Sequence, residues 1–173
     1  MKYKTFIENI KRMNKNLKEE LIMQLATELH DKWRNRLKMN EDWKFEPRIK
    51  KTKDKNWIKK NGTDEVDIAN TSFVDLPTDW QKENYDAAKL VIDLVYDEVI
   101  NLNKKGYDLE TIEKLSSKVH DSWMERNSWK KVSKPELFVP YEELPEKEKA
   151  KDRVQIIDAI KKVATRIIKN QNN

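Results

Sequence analysis

The chain of 173 residues contains no cysteine, only two glycines and no long apolar run, and each shortage excludes a class of protein. Without cysteine there is no disulfide, no thiolate nucleophile and no zinc–thiolate centre, which is typical of a cytoplasmic protein. Gly62 and Gly106 are too few and too far apart for a glycine-rich phosphate loop. Because charged residues interrupt every apolar stretch, we expect neither export nor a membrane span.

Charge is abundant but nearly balanced. Charged residues make up 39% of the chain, and 36 Lys and Arg against 31 Asp and Glu leave a net charge of only +5. We therefore expect most of the charge on solvated helix faces. Hydrophobic residues make up 37%, six Trp among them, which is enough apolar surface for a folded core.

Apolar residues recur every three or four positions in four segments, which predicts four amphipathic helices. The helices are expected at residues 17–38, from Leu76-Pro77 to Gly106, from about Asp108 to Arg126, and from Pro145 onward. A helical extension is expected at residues 1–16, with Asn16 as the cap of the first helix. Residues 39–75 lose the helical period, and short extended segments are expected there and in LFVPYEELP.

The motif HDxWxxR occurs twice, as HDKWRNR at 30–36 and HDSWMER at 120–126. An offset of 90 superposes the two motifs, and an offset of 68 superposes Leu76-Pro77 on Leu144-Pro145. The first copy therefore carries an insertion of about 22 residues, at about 45–72. Repeated units bury their apolar faces against one another, so we predict a mainly α (α+β) fold. Its two pseudo-symmetric helix, short-strand and helix repeats would share a core.

The second copy, residues 109–165, resembles the ryanodine-receptor repeat, or RyR domain, in HDSW, SWK, PELFVPYEELP, EKAKDR and an Ile-rich closing helix. The first copy resembles a more divergent member, with LATELHDKW and LPTDWQKEN in place. It departs from the family between Trp43 and Phe73, where a compact aromatic and Val-Pro-Tyr turn is expected. By this resemblance the first repeat covers 17–106 and the second covers 107–170.

The resemblance implies a helix-rich, non-enzymatic protein of the small stand-alone type found in prokaryotes and their viruses. It further implies that the domain senses a nucleotide-derived ligand, in antiviral defence or counter-defence. On this preferred interpretation the chain has no cofactor, no metal site and no catalytic residue.

Two interpretations of the HDxWxxR motif stay open. In the first, Trp stacks on a base while Arg and a protonatable His hold phosphate oxygens. In the second, which burial preferences favour, Trp belongs to the core and His is hydrogen-bonded nearby. The repeated motif residues are His30, Asp31, His120 and Asp121.

The densest basic segment is 44–60, where eight Lys or Arg face only Glu46 and Asp54, a local net charge of +6. Interleaved tryptophans would suit single-stranded nucleic acid or a phosphorylated small molecule. The alternative, favoured because Lys outnumbers Arg, is a solvated loop whose tryptophans fold back onto the body. Nucleic acid thus ranks as a partner below a nucleotide-like molecule, a protein or a second copy.

Three functions follow in order of preference. The first is a binding module for a nucleotide-derived or phosphorylated small ligand, and the second is a protein-interaction or scaffold module. The third is a metal-dependent phosphohydrolase, suggested by the His-Asp dipeptides together with Asp152 or Asp158. The candidate ligand contacts are Trp33, Arg36, Trp43, Arg48 and Trp57 in the first copy, and Trp123, Arg126 and Trp129 in the second.

Overall fold

A computed structural model describes residues 2–102 and 108–171 and is mainly helical, which confirms the expected mainly α (α+β) class. The elements are α1 (Lys2–Arg34), β1 (Ile49–Lys51), α2 (Lys55–Asn61), β2 (Glu65–Asp67), α3 (Thr78–Leu102), α4 (Leu109–Arg126) and α5 (Glu146–Gln171). Gly106, the expected end of the second long helix, lies outside the described residues. None of the helices described has the length and apolar character needed to cross a membrane.

The chain divides into two compact units. We call residues 22–88 the hairpin unit, and residues 1–21 together with 89–173 the helical unit. The first HDxW motif and the whole insertion lie in the hairpin unit, and the second motif lies in the helical unit.

The hairpin unit is built around the insertion. β1 and β2 pair antiparallel, with Lys50 opposite Val66, and α2 lies between them in the chain. α2 ends at Gly62, whose φ of 71° is left-handed and lets its N–H reach the carbonyl of Ile58 at 2.8 Å. The buried apolar residues of the unit are Ile22, Leu25, Ala26, Val66, Ile68, Ala69, Phe73, Leu76 and Ala88.

In the helical unit, α4 packs against α5 and against a short 3-10 turn at Tyr141–Glu143. Asp108 caps α4 by accepting a hydrogen bond from the Thr111 N–H at 2.8 Å, as the sequence predicts for a helix starting there. The buried apolar residues of this unit are Leu17, Leu21, Val91, Ile92, Val95, Tyr96, Leu115, Val119, Tyr141, Leu144, Ile156, Ala159 and Val163.

The local structure of the two copies repeats at the offset found from the sequence. A 3-10 turn at Phe73–Asp75 precedes α3, and the 3-10 turn at Tyr141–Glu143 precedes α5 in the same way. α3 begins at position 78 and α5 at position 146, the same offset of 68 found from the Leu-Pro pairs. Equivalent sequence thus produces equivalent turns and helix starts in both copies.

Four expectations about local structure were wrong. α1 begins at Lys2, so Asn16 lies inside the helix, because no proline or glycine interrupts residues 2–34. The segment 39–75 contains α2 in addition to the strands. The run LFVPYEELP forms 3-10 turns instead of a strand, because proline's fixed φ also suits such turns. The helix expected to run to residue 38 ends at Arg34, so Arg36 lies beyond it.

Candidate binding pocket

The histidines of the two motifs make the same hydrogen bond. His30 Nε2 lies 3.0 Å from the Thr71 carbonyl oxygen, and His120 Nε2 lies 2.9 Å from the Val139 carbonyl oxygen. A carbonyl oxygen can only accept, so Nε2 is the donor in both rings. Both rings are almost fully buried, at 2% and 3% exposure. Each histidine therefore ties its helix to the segment ahead of the 3-10 turn.

The aromatic surroundings of the two histidines also repeat. His30 stacks on Trp33 with ring centroids 5.6 Å apart, and His120 stacks on Trp123 at 6.2 Å. A tilted ring from the 3-10 turn, Phe73 or Tyr141, lies 6.3 Å from each. This shared packing accounts for His and Trp in the motif without any ligand.

The two copies differ at the second nitrogen of the histidine. In the helical unit, Asp152 Oδ2 lies 3.8 Å from His120 Nδ1, whereas the equivalent position in the first copy, 68 residues earlier, is Asn84. Burial raises the pKa of Asp152 to about 6, the positive charge of a protonated His120 opposes that rise, and nearby Glu148 adds to it. The ionisable pair is therefore a property of the second copy.

Asp152 lines a cavity of about 250 Å³ between α4, α5 and the loop that joins them. The cavity is lined by His120, Trp123, Lys134, Leu137, Leu144, Glu148, Lys151, Asp152 and Gln155. Three kinds of surface meet here: apolar side chains with the Trp123 indole, hydrogen-bond acceptors on α5, and lysine ammonium groups. Polar groups, two lysines and two carboxyls among them, converge here beside the apolar side chains of Trp123, Leu137 and Leu144.

The two lysines of the cavity differ in their availability to a ligand. Lys151 Nζ lies 2.6 Å from both carboxylate oxygens of Glu148. Lys134 is exposed and has no acidic partner in the part of the chain that the structure describes. The Lys134 ammonium is therefore the group that an anionic ligand would meet first.

A larger, shallow groove of about 610 Å³ lies on α4 beside Tyr141. Its buried polar group, the Tyr141 hydroxyl, donates to Glu113 at 2.7 Å. Burial first, and then this bond to Glu113, raise the pKa of Tyr141 to about 12. The hydroxyl is already satisfied, and the rest of the lining consists of Lys, Glu and Ser side chains without an apolar wall besides the Tyr141 ring, so the groove offers less to a planar ligand.

The candidate ligand contacts of the first copy lie in different surroundings. Trp33 packs on His30, and Trp57 donates its indole N–H to the Asp75 carbonyl at 3.1 Å. Arg48 pairs with Glu46, while Arg36 is exposed beyond the end of α1. Trp43 is 82% exposed on a turn. The contacts that these side chains make do not bring them together into one site.

Among the second-copy candidates, Trp123 alone lines the 250 Å³ cavity. Arg126 donates from Nη1 to the Ser122 hydroxyl at 2.6 Å, along α4. Trp129 is 75% exposed, with Lys130 Nζ 4.9 Å from its ring centroid. The motif arginine thus stabilises its own helix, and the second exposed tryptophan lies in the loop after it.

Most of the cavity lining was missed from the sequence. Glu148, Lys151 and Gln155 were not identified; together with Asp152 they stand at i, i+3, i+7 and i+4, which places them on one face of α5. That spacing was a usable signal, since a polar stripe on a helix with a buried apolar face is worth testing as a site. Lys134 and Leu137 come from an irregular loop, whose path local spacing does not determine.

In the described residues, no group of three or more His, Asp or Glu side chains could hold a metal ion. His30, grouped in the sequence with His120 as a candidate metal ligand of a phosphohydrolase, lies in the other compact unit. No family model, curated protein or solved structure matches the chain. The resemblance to the ryanodine-receptor repeat therefore rests on the sequence motifs alone.

Proposed function

We propose that this protein binds a small anionic ligand carrying a planar ring, of the nucleotide-derived class, in the cavity beside His120 and Trp123. The observation that carries the proposal is the joint presence of an aromatic wall, an unpaired lysine and carboxyl acceptors in one cavity of about 250 Å³. The resemblance to RyR repeats extends the proposal to a role in antiviral defence or counter-defence.

Each part of the ligand has a matching group. A phosphate would be attracted by Lys134, because Lys151 is already paired with Glu148, and a flat base would lie against the apolar wall that includes Trp123. Ring amino groups would donate to Asp152. The volume lies just below the usual range of about 300 to 1,000 Å³ for small-molecule sites, which favours a mononucleotide over a dinucleotide.

The protonation of Asp152 links this binding to pH. Above its pKa of about 6 the carboxylate adds a negative charge to the cavity, and below it the neutral acid does not. Loss of that charge favours a phosphate nearby, because like charges at this range repel. We therefore expect tighter binding of cyclic nucleotides, whose phosphodiester charge does not change in this range, at about pH 5.5 than at about pH 7.5.

The first experiment is a thermal-shift and calorimetric screen of nucleosides, nucleoside monophosphates and cyclic nucleotides. For a hit, Lys134→Gln should weaken binding of the phosphorylated form about threefold to tenfold and leave the parent nucleoside unchanged. Lys131→Gln, at an exposed lysine outside the cavity, is the matched control and should bind like the wild type.

A screen without any stabilised hit would contradict the proposal, as would equal losses in both lysine variants. The alternative function is then a protein-interaction module. The observation favouring it is the loop after α4, where Trp129 and Val132 are 75% and 93% exposed. Large apolar side chains exposed close together mark interaction surfaces.

A further inference from the structure

Trp43 has a conformation and an exposure that its own packing does not explain. Its φ is 61°, in the left-handed region where a bulky residue is strained and glycine is favoured. Its side chain is nevertheless 82% exposed, so burial of the indole does not compensate for the strain. Such an outlier, held at a surface, points to a use of the side chain outside the fold.

The turn that carries Trp43 is held firmly by hydrogen bonds. The side-chain oxygen of Asn40 accepts from the Lys44 N–H at 2.9 Å and from the Asp42 N–H at 3.1 Å. The Asn40 N–H donates to the Lys44 carbonyl at 2.8 Å, and the Trp43 N–H donates to the Asn40 carbonyl at 3.1 Å. The indole is therefore presented to solvent on a defined turn.

The segment that follows this turn is rich in unpaired positive charge. Arg48 and Lys51 are paired with Glu46 and Asp64. The other lysines of the basic segment are exposed and, within the residues that the structure describes, have no acidic partner: Lys44, Lys50, Lys53, Lys55, Lys59 and Lys60. These six lysines and Trp43 are all exposed residues of the hairpin unit, within positions 43–60, and we refer to them as the Trp43–lysine surface.

We propose that the Trp43–lysine surface binds single-stranded nucleic acid, with an unpaired base stacked on Trp43 and backbone phosphates on the lysines. An exposed indole offers a flat face to any base, and lysine ammonium groups suit phosphates without sequence preference. A duplex would not use the indole, because its bases are already stacked and paired. This site is separate from the cavity proposed above for a small ligand.

An anionic membrane would also attract lysines and tryptophan, but the turn disfavours it. Exposed Glu41 and Asp42 immediately precede Trp43 in the chain. Inserting the indole into a bilayer would bring both carboxylates to the negatively charged lipid surface. A nucleobase carries no such charge, and the phosphates would lie beside Lys44 and the lysines after it. Single-stranded nucleic acid is therefore the better match.

The decisive variant is Trp43→Gly, since glycine prefers the backbone conformation of this turn and the fold should be kept. The probe is a fluorescein-labelled oligothymidylate of about 12 nucleotides, with the ribose equivalent as a second arm. We expect Trp43→Gly to weaken binding about tenfold with an unchanged or higher Tm. Trp129→Ala, at the exposed tryptophan of the helical unit, is the matched control and should bind like the wild type.

Charge is tested separately with Lys50→Gln/Lys53→Gln, measured from about 50 to about 200 mM salt. The slope of log affinity against log salt should become shallower by about 1.4, the loss expected for two phosphate contacts to a single strand. Lys147→Gln/Lys161→Gln removes two exposed lysines of α5 and should leave the slope unchanged.

Three results would overturn the proposal. The first is no binding of either oligonucleotide at low salt. The second is an equal loss in Trp43→Gly and Trp129→Ala, or in the two lysine pairs, which would mean attraction by net charge alone. The third is Trp43-dependent binding to phosphatidylserine–phosphatidylcholine vesicles without binding to the oligonucleotides. None of these results depends on the nucleotide screen of the cavity.

Discussion

At the scale of single residues, Asp152 is the side chain whose setting departs furthest from that of its repeat partner. Its carboxyl is 14% exposed and faces His120 Nδ1, while the equivalent Asn84 cannot ionise. Burial of a carboxyl penalises its charged form, and here that effect exceeds the attraction of the His120 ring. The difference between Asn84 and Asp152 therefore places an ionisable carboxyl beside the histidine in the second copy only.

The raised pKa predicts that the folded state loses stability as pH rises through this range. Below about pH 4 the carboxyl is protonated in both the folded and unfolded states. Between about 4 and 6 only the folded state holds the proton, so the free energy of unfolding falls by about 3 kcal/mol across the window. Asp152→Asn should remove this fall, measured by urea unfolding at a series of pH values.

The control is Asp121→Asn, which removes an exposed carboxyl next to His120 in the chain and should keep the wild-type pH dependence. If Asp152→Asn gave a curve parallel to that of the wild type, the carboxyl would not be titrating in the window assigned to it.

At the scale of elements, Asp54 links the insertion to the following long helix. One carboxylate oxygen accepts from the N–H groups of Asn56 and Trp57, at 3.0 and 3.1 Å, and caps α2. The other accepts from the N–H and hydroxyl of Thr78, at 3.0 and 2.9 Å, and caps α3. These bonds, led by that from the Thr78 N–H, lower the pKa of Asp54 to about 2.

We expect Asp54→Ala to loosen α2, because a helix of seven residues is marginal without its cap. Amide hydrogen exchange in α2 should quicken about fivefold or more, the usual effect of a lost cap. Asp54→Asn is the matched variant, since its single amide oxygen can still cap α2 but cannot also accept from Thr78. Unchanged exchange in the alanine variant would show that the β1–β2 hairpin alone holds α2.

At the scale of the whole molecule, most carboxyls with a shifted pKa have a lowered pKa, whereas the pKa of Asp152 is raised. The hydrogen bond from Arg153 lowers the pKa of Glu146, and hydrogen bonds at Asp54 act in the same direction. At Asp93, burial would raise the pKa, but Lys89 and Lys18 together lower it. Groups with lowered pKa stabilise the fold above their unfolded values and lose that contribution as pH falls.

Stability should therefore fall towards about pH 2 as these carboxyls are protonated. Above about pH 4 two buried groups act in opposite directions. Ionisation of Asp152 lowers the free energy of unfolding, whereas burial lowers the pKa of His30, so loss of the His30 proton raises the free energy of unfolding towards about pH 6.5. The midpoint of urea unfolding, followed by circular dichroism from about pH 2 to 8, measures stability in both ranges. A midpoint that stayed constant below pH 4 would contradict the hydrogen bonds assigned to these carboxylates. Asp54→Asn should make the loss of stability below pH 4 smaller.

Much of the helical architecture could be predicted from sequence because its signals are local. The spacing of apolar residues located α3, α4 and α5. The Leu-Pro pairs gave the offset that also relates the two 3-10 turns and the starts of α3 and α5. α2 was missed because its seven residues contain one adjacent apolar pair, Trp57 and Ile58, which is too little to show a helical period. Asn16 was misassigned because a good cap residue inside a helix looks the same in sequence as one at its start.

The sequence by itself determined the helical class, the duplicated motif and the difference between Asn84 and Asp152, since each depends on residues close in the chain or on direct comparison. Only the tertiary structure decided that Asp152 meets His120, which lies 32 positions earlier, and that Trp57 folds back while Trp43 does not. Spacing sets which residues share a helix face, whereas the packing of buried surfaces sets which faces and turns meet.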